Sequence, residues 1–350
     1  NITTNPSPAV GAGAGSSPFD SYSPWKDMEE YNIIEQVVKY KRGDADFSRT
    51  GHNTVVYIPV FYYRITQGNY GLRYFYISDT EIEGFTRHPG SGKYVGRYNT
   101  VATDSTSQRV AVPGAGYHTS ISGQPPITSK TRAEFREAAK SKGDKWGIYD
   151  YVTWCAVWLL YLVEFADWDS QAKIGQGIVS ASAVQKTGGT DTMSYHTGRA
   201  AGTDGQTAVQ YRHIEDPWGN VGEWIDGINF NDGTVYVCTD PAKYADDTAT
   251  GYTNIGTKAQ SYGYIKSLGF SPDAPYAFFP EAIGGSDSTY IPDRCYYNSG
   301  WRVLLVGGTW GDGLGAGLFA CSMGHAPSIA RSSLGARLLF HPGSWRVGTA

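Results

Sequence analysis

Residues 301–340 read WRVLLVGGTWGDGLGAGLFACSMGHAPSIARSSLGARLLF. Trp301–Val306 is β-branched and apolar, the composition of a buried strand. Gly307–Gly308 breaks it where the backbone must turn or pass close to another segment. Leu334–Phe340 reads as a second buried strand. The residues between them hold no lysine and no glutamate, and small, polar and apolar types follow one another with poor periodicity. A packed core rarely tolerates such irregular chemistry, so this middle reads as a displayed surface held between two strands.

The pattern GG-x-W-x-x-G-x-x-AG-L-F, closed by a GARL-type strand, resembles the variable proteins of diversity-generating retroelements. The resemblance implies an α+β, C-type lectin-like fold of the formylglycine-generating-enzyme-like branch, with twisted antiparallel sheets, two helices and long loops. In such proteins a reverse transcriptase rewrites selected codons, mostly of the AAY kind, while the scaffold stays fixed. Carried over position by position, Gly308, Trp310, Gly313, Ala316, Gly317, Leu318, Phe319, Leu334, Gly335 and Arg337 would be scaffold. Thr309, Gly311, Asp312, Leu314, Gly315, Ala320 and Cys321 would be variable and ligand-contacting. So would Ser322, Gly324, His325, Ile329, Ala330, Arg331 and Ser333. An AAY codon changed at its adenines cannot encode Lys, Glu, Gln, Met or Trp, and none of these variable positions carries one.

Charge and composition narrow the function classes. The net charge is −4 across 350 residues, which gives no electrostatic case for nucleic acid or an anionic membrane. There are 44 glycines and 26 tyrosines, a bias that suits a turn-rich scaffold with amphipathic contact surfaces. Cys155, Cys238, Cys295 and Cys321 show no CxxC spacing, which argues against a metal cage or a disulfide framework and leaves open a single Cys238–Cys295 bridge. Pro6, Pro8, Pro18, Pro24 and the Gly11–Ser17 run give residues 1–24 the composition of a flexible linker. The chain starts at Asn1 rather than Met, which reads as a piece of something longer, and no signal peptide is visible. Residues 25–350 read as one elaborated ligand-display domain.

Within that domain, Val55–Ile65 reads as a strand with an edge or bulge at Pro59, and Tyr74–Ser78 as its partner across the Gln67–Gly71 turn. The IPVFYY run loosely resembles phage tail-associated proteins of the same fold. Residues 86–126 and 175–210 are rich in Gly, Ser and Thr and read as loop. Thr131–Glu134 is a capping box for a helix with Phe135, Ala138 and Ala139 on its apolar face and Gly143 at its end. A second helix from Tyr149 to Ser170 has an apolar run too short for the ~20 residues that a bilayer requires, so it reads as a core helix. Asn231–Gly233 marks a hairpin within 228–240. Residues 241–300 read mainly as loop, with Tyr262, Tyr264, Tyr290, Tyr296 and Tyr297 framing the displayed surface.

Ile214–Gly227 resembles the D-x-x-GNVWEW segment of the formylglycine-generating-enzyme branch, with Gly222 where that pattern usually has Trp. Asn220 and Gly219 suit a tight turn, Val221 and Trp224 suit inward positions, and Glu223 suits a carboxylate that accepts loop amides. Glu215, Asp216 and Glu223 are read as structural acids rather than catalytic ones. In the enzymes of that branch a cysteine pair near the C-terminus binds copper, and this region offers only Cys321. No GxSxG, HExxH or Walker A sequence occurs, and His88–Lys93 lacks the P-loop spacing. Calcium-lectin motifs Glu-Pro-Asn and Trp-Asn-Asp are missing too, which leaves only a structural Ca²⁺ in the acid-bearing loops open. The resemblance implies a non-enzymatic, cofactor-free receptor-binding protein, a phage tail-tip adhesin. Its partner would be a host-cell surface protein or glycan, it would sit on the virion or a cell surface, and it would form a homotrimer or attach to a phage tail through its N-terminal segment. The alternatives are a formylglycine-generating-enzyme-like oxidase and a static carbohydrate-binding domain.

Overall fold

The protein is described from a computed structural model covering residues 5–69, 72–103, 111–112 and 116–343. Among these residues two large sheets dominate. One has six strands in the order 146–148, 337–340, 93–99, 53–58, 30–34, 37–41. The other has 222–231 and 301–306 at its centre, flanked by 234–237 and 253–257 on one side. On the other side lie 321–325, 294–297, 263–271 and 274–283. Pairing is mainly antiparallel, but 294–297 runs parallel to 321–325, and 334–335 runs parallel to 222–223. The terminal strand therefore leaves one sheet edge and enters the other sheet, which joins the two.

Among the described residues three α-helices pack against this frame. Helix α1, Arg132–Lys140, starts at the expected capping box: the Thr131 hydroxyl accepts from Glu134 N at 3.2 Å, and the Glu134 carboxylate accepts from Thr131 N at 2.7 Å. Helix α2, Tyr151–Phe165, is buried at every position except Val163. A helix so largely apolar must lie inside a core, and its Trp154 and Trp158 rings pack against Phe278 and Phe319. It ends five residues before the expected Ser170 because Ala166 adopts a left-handed conformation, φ 51°. Asp169 then caps a new short helix α3, Ser170–Ile174, through its side chain to Ala172 N at 2.8 Å. No helix among the described residues is long and apolar enough to cross a membrane.

Several expectations need correction. The single strand expected over 55–65 is two, 53–58 and 62–67, separated at Pro59, which cannot donate to a ladder; only the second pairs with 73–78. The segment 86–126 is not loop throughout, since 93–99 is an interior strand. Its buried Lys93 and Arg97 disguise it: Lys93 Nζ pairs with Asp150 Oδ2 at 2.8 Å, which also disposes of the P-loop likeness. Residues 241–300 carry the long hairpin 263–271/274–283, whose bulges and glycines break the alternation that would reveal it. The linker-like N-terminus is laid on the domain: Ala9–Val10 pairs with Gly198–Arg199, Ala9 is buried, and the Ser17 hydroxyl reaches Glu164 Oε1 at 2.7 Å.

Three buried imidazoles set an acid limit. Burial, with Lys93 nearby, pushes His88 down to about 3; its ring stacks on Phe61 and accepts from Gly90 N. Burial likewise holds His118 and His213 at about 4. Their folded pKa values lie below the unfolded ~6.5, so the unfolded chain binds more protons in between, and stability falls as pH drops from about 6.5 toward 4. The urea midpoint is expected to be lower at pH 4.5 than at pH 7, and a midpoint unchanged between those pH values would show that these imidazoles take up protons without unfolding the chain.

Candidate functional site

The displayed stretch begins where strand 301–306 ends. Its register sets one row of side chains across three strands: Leu305 lies opposite Ser322, and Ser322 lies beside Tyr296. The next row, Val306, Cys321 and Cys295, falls on the other face and joins the core. Over the first row opens a cavity of about 250 Å³. Leu305, Leu334, Ala320 and Gly308 give it an apolar floor; Thr309, Asp312, Ser322, His325, Arg331 and Ser333 add polar groups; Arg294 and Tyr296 come from the neighbouring strand.

The loop 307–320 that walls the cavity is pinned by its backbone. Gly307 and Gly308 have φ of 85° and 75°, values that glycine alone adopts without strain. Trp310 N donates to Asn220 O at 3.0 Å, and Gly313 N to Val179 O at 3.0 Å. Gln171 Nε2 of α3 donates to Ala316 O at 2.6 Å, and Leu318 N donates to Ser170 Oγ at 2.9 Å. Phe319 N donates to Asp293 Oδ2 at 2.8 Å. Burial pushes the Asp293 carboxyl well above the usual carboxylate range. Inside the loop, Asp312 Oδ2 accepts from Thr309 N at 2.7 Å and from Thr309 Oγ1 at 2.9 Å. A loop so fastened spends little entropy when a ligand arrives.

Beneath the site sits one fully used guanidinium. Arg337 is completely buried. Its Nε and Nη2 donate to Glu223 at 2.9 and 2.5 Å, its Nη1 to Gly96 O and Arg97 O, and its Nη2 also to Glu215 O and Asp216 O. Glu223 was expected to accept loop amides; it takes side chains instead, Arg337 and Asn99 Nδ2 at 2.6 Å. Burial outweighs the guanidinium's pull and leaves the Glu223 carboxyl above its ordinary pKa. Asn220 holds a left-handed turn, φ 61°, and its amide bridges Gln185 and Asp216. Glu215 caps the 188–190 turn rather than facing a cavity.

The structure sorts the positions expected to be variable. Thr309, Asp312, Ser322, His325, Arg331 and Ser333 reach the cavity, with Gly315 and Ala320 on its buried side. Gly311 and Leu314 are exposed beyond its rim, as is Ala330, while Gly324 is half-buried outside it and Ile329 leans on the second core cluster. Cys321 touches the cavity but packs in the core at 4% exposure, since the strand alternation turns it inward. Among the scaffold positions Leu318, Trp224, Gly317, Gly335 and Arg337 are buried. Trp310, assigned to the scaffold, is only half-buried; its backbone rather than its ring is what the fold grips.

Two further points were missed. Arg294 carried no motif signal, yet it stands on the cavity wall. The thiol count near the C-terminus was also incomplete: Cys295 lies opposite Cys321 on a parallel strand, although all four cysteines are free. Burial and the neighbouring Cys295 push the Cys321 thiol well up. Among the described residues no group of three or more His, Cys, Asp or Glu could hold a metal ion.

No family model matches the chain, and no curated protein sequence does. Among solved structures it is similar to the Major Tropism Determinant P3c variant, at 12% identity and TM-score 0.34, over 89% of this chain and 72% of that one. The U1 and I1 variants give TM-scores of 0.33 and 0.34 at 12% and 13% identity, each over 90% of this chain and 72% of the other. Overlap this slight assigns no fold, and the geometry above stands by itself.

Removing one partner of a buried ion pair costs about 3–5 kcal/mol, whereas surface changes stay within about 0.5 kcal/mol. Arg337→Met is therefore expected to lower the unfolding free energy by that larger amount and Ser322→Ala by the smaller, as read from urea titrations. Equal costs would mean that the cavity face and its foundation are not separate.

Proposed function

We propose that the chain is a ligand-display protein: a C-type lectin-like scaffold of the formylglycine-generating-enzyme-like branch, diversified by a retroelement and carried on a phage tail tip as a host-binding adhesin. The ligand is a host-cell surface protein or glycan, and the protein works on the virion or at a cell surface, tethered through its N-terminal segment, in a homotrimer if it follows the usual form of tail fibres. One observation carries the reading. Most of the positions that the resemblance assigns as variable, distributed from Thr309 to Ser333, line one open cavity whose loop backbone is fastened largely by residues outside that set. A static binding domain would need no such separation between an irregular face and a fixed base.

Gly222 supplies the test. It stands where the related pattern has Trp, and it lines the cavity. A Cβ placed there would meet Leu334 Cδ2 at 3.3 Å and Thr309 Cγ2 at 3.4 Å, so a large side chain must grow into the open space. Gly222→Trp is expected to abolish binding of labelled protein to those strains of a bacterial panel that the parent chain recognises, while the melting temperature stays within a few degrees. Binding that survives a filled cavity in a folded variant would contradict the reading.

A further inference from the structure

The cavity carries a fixed chemistry as well as a variable one. Arg294 lies outside the displayed stretch, on strand 294–297. Its Nη1 donates to Tyr262 Oη at 3.2 Å and its Nη2 to Tyr264 Oη at 3.0 Å, and its guanidinium lies 4.6 Å from the centre of the Tyr264 ring. Tyr262 in turn packs on Tyr296, with ring centres 4.7 Å apart. Gly315 presses on the arginine from the loop side; a Cβ there would meet Arg294 Cδ at 2.6 Å. The tyrosine hydroxyls orient the guanidinium without neutralising it, and no ion pair joins Arg294 or Arg331 to a carboxylate among the described residues. A guanidinium has five N–H donors, so this one keeps donors to spare. Arg331 adds a second positive charge at the cavity, and burial, helped by Arg331 and Arg302, pushes the His325 imidazole down to about 4. Asp312, the one acidic residue of the lining, already accepts two bonds from Thr309.

We propose that the cavity binds a sugar ring bearing a carboxylate, a uronic or sialic acid at the end of a glycan, with the carboxylate held between Arg294 and Arg331. This rests on the display reading above and deepens it. A planar guanidinium matches a carboxylate with two parallel bonds. The hydroxyls of Thr309, Ser322 and Ser333 provide donors and acceptors for ring hydroxyls, and the Tyr296 ring offers an apolar face. A carboxylate on a short peptide side chain would use the arginines and leave those hydroxyls unmatched. Because Arg294 and its tyrosines are not among the variable positions, the preference for acidic ligands persists while the surrounding residues change.

The chain is titrated with glucuronic acid, N-acetylneuraminic acid, glucose and the capped aspartate N-acetyl-Asp-N-methylamide, with binding followed by NMR. At least one acidic sugar is expected to bind ten-fold or more tighter than glucose and the capped aspartate, with affinity falling as salt is raised. Arg294→Gln should weaken it at least ten-fold, Arg294→Lys less, and Tyr264→Phe measurably, all with unchanged melting temperature. Equal binding of glucose, binding of the capped aspartate as tight as that of the sugars, no binding of either acidic sugar, or indifference to Arg294→Gln would each overturn the inference. If acidic sugars fail while Gly222→Trp still abolishes cell binding, the display reading stands and only the ligand class falls. If cell binding ignores Gly222→Trp, the display reading falls as well.

Discussion

Everything at the cavity depends on a charge buried where no water reaches it. Arg337 would be ruinous inside a protein unless every donor were satisfied, because an unpaired buried ion costs several kcal/mol. Here its donors reach a carboxylate and four backbone carbonyls, drawn from strand 93–99, from the 215–216 turn and from strand 222–231. One side chain thereby fixes the distance between the two large sheets and the turn that supports the displayed loop. Arg132 does the same work between α1 and strand 222–231, donating to Ile225 O, Ile228 O and Asn229 Oδ1. Arg212 fastens the 212 turn to α2 through Glu164. In a glycine-rich chain these charged groups replace much of the regular ladder that would otherwise hold the loops.

That division explains what could be read in the sequence. Trp301–Val306, the capping box at Thr131, the all-apolar α2 and the Asp232–Gly233 hairpin turn each announce themselves by local chemistry, and each is present. Lys93–Asn99 did not, because its buried positions include Lys93 and Arg97, whose partners lie far away in sequence. The hairpin 263–271/274–283 was hidden by bulges that interrupt its period-two pattern. Proline and glycine near the N-terminus imitate a linker, yet Ala9 and Ser17 find partners that only the folded chain supplies.

The site was legible in part for the same reason. Pattern placed Thr309, Asp312, Ser322, His325, Arg331 and Ser333 together, and they share one cavity. Pattern could not tell that Cys321 sits one residue out of phase with Ser322 and therefore turns into the core, nor that Trp310 is gripped by its backbone. Arg294 had no local signature, since its meaning comes from Tyr262 and Tyr264 across the sheet. On the display reading proposed above, a pinned backbone with short side chains above it would meet a specific demand: the face would accept many residues without moving, so that each new set would meet its ligand already ordered.

The most direct measurement of that demand is the DNA sequence downstream of the gene. The account predicts a near-copy of the codons for residues 301–340 beside a reverse transcriptase gene, differing from the gene only at adenines of the copy. Those adenines should fall on the codons of Thr309, Asp312, Ser322, His325, Arg331 and Ser333 and spare those of Leu318 and Arg337. A locus with no such copy, or one whose differences fall on the buried scaffold codons, would contradict it.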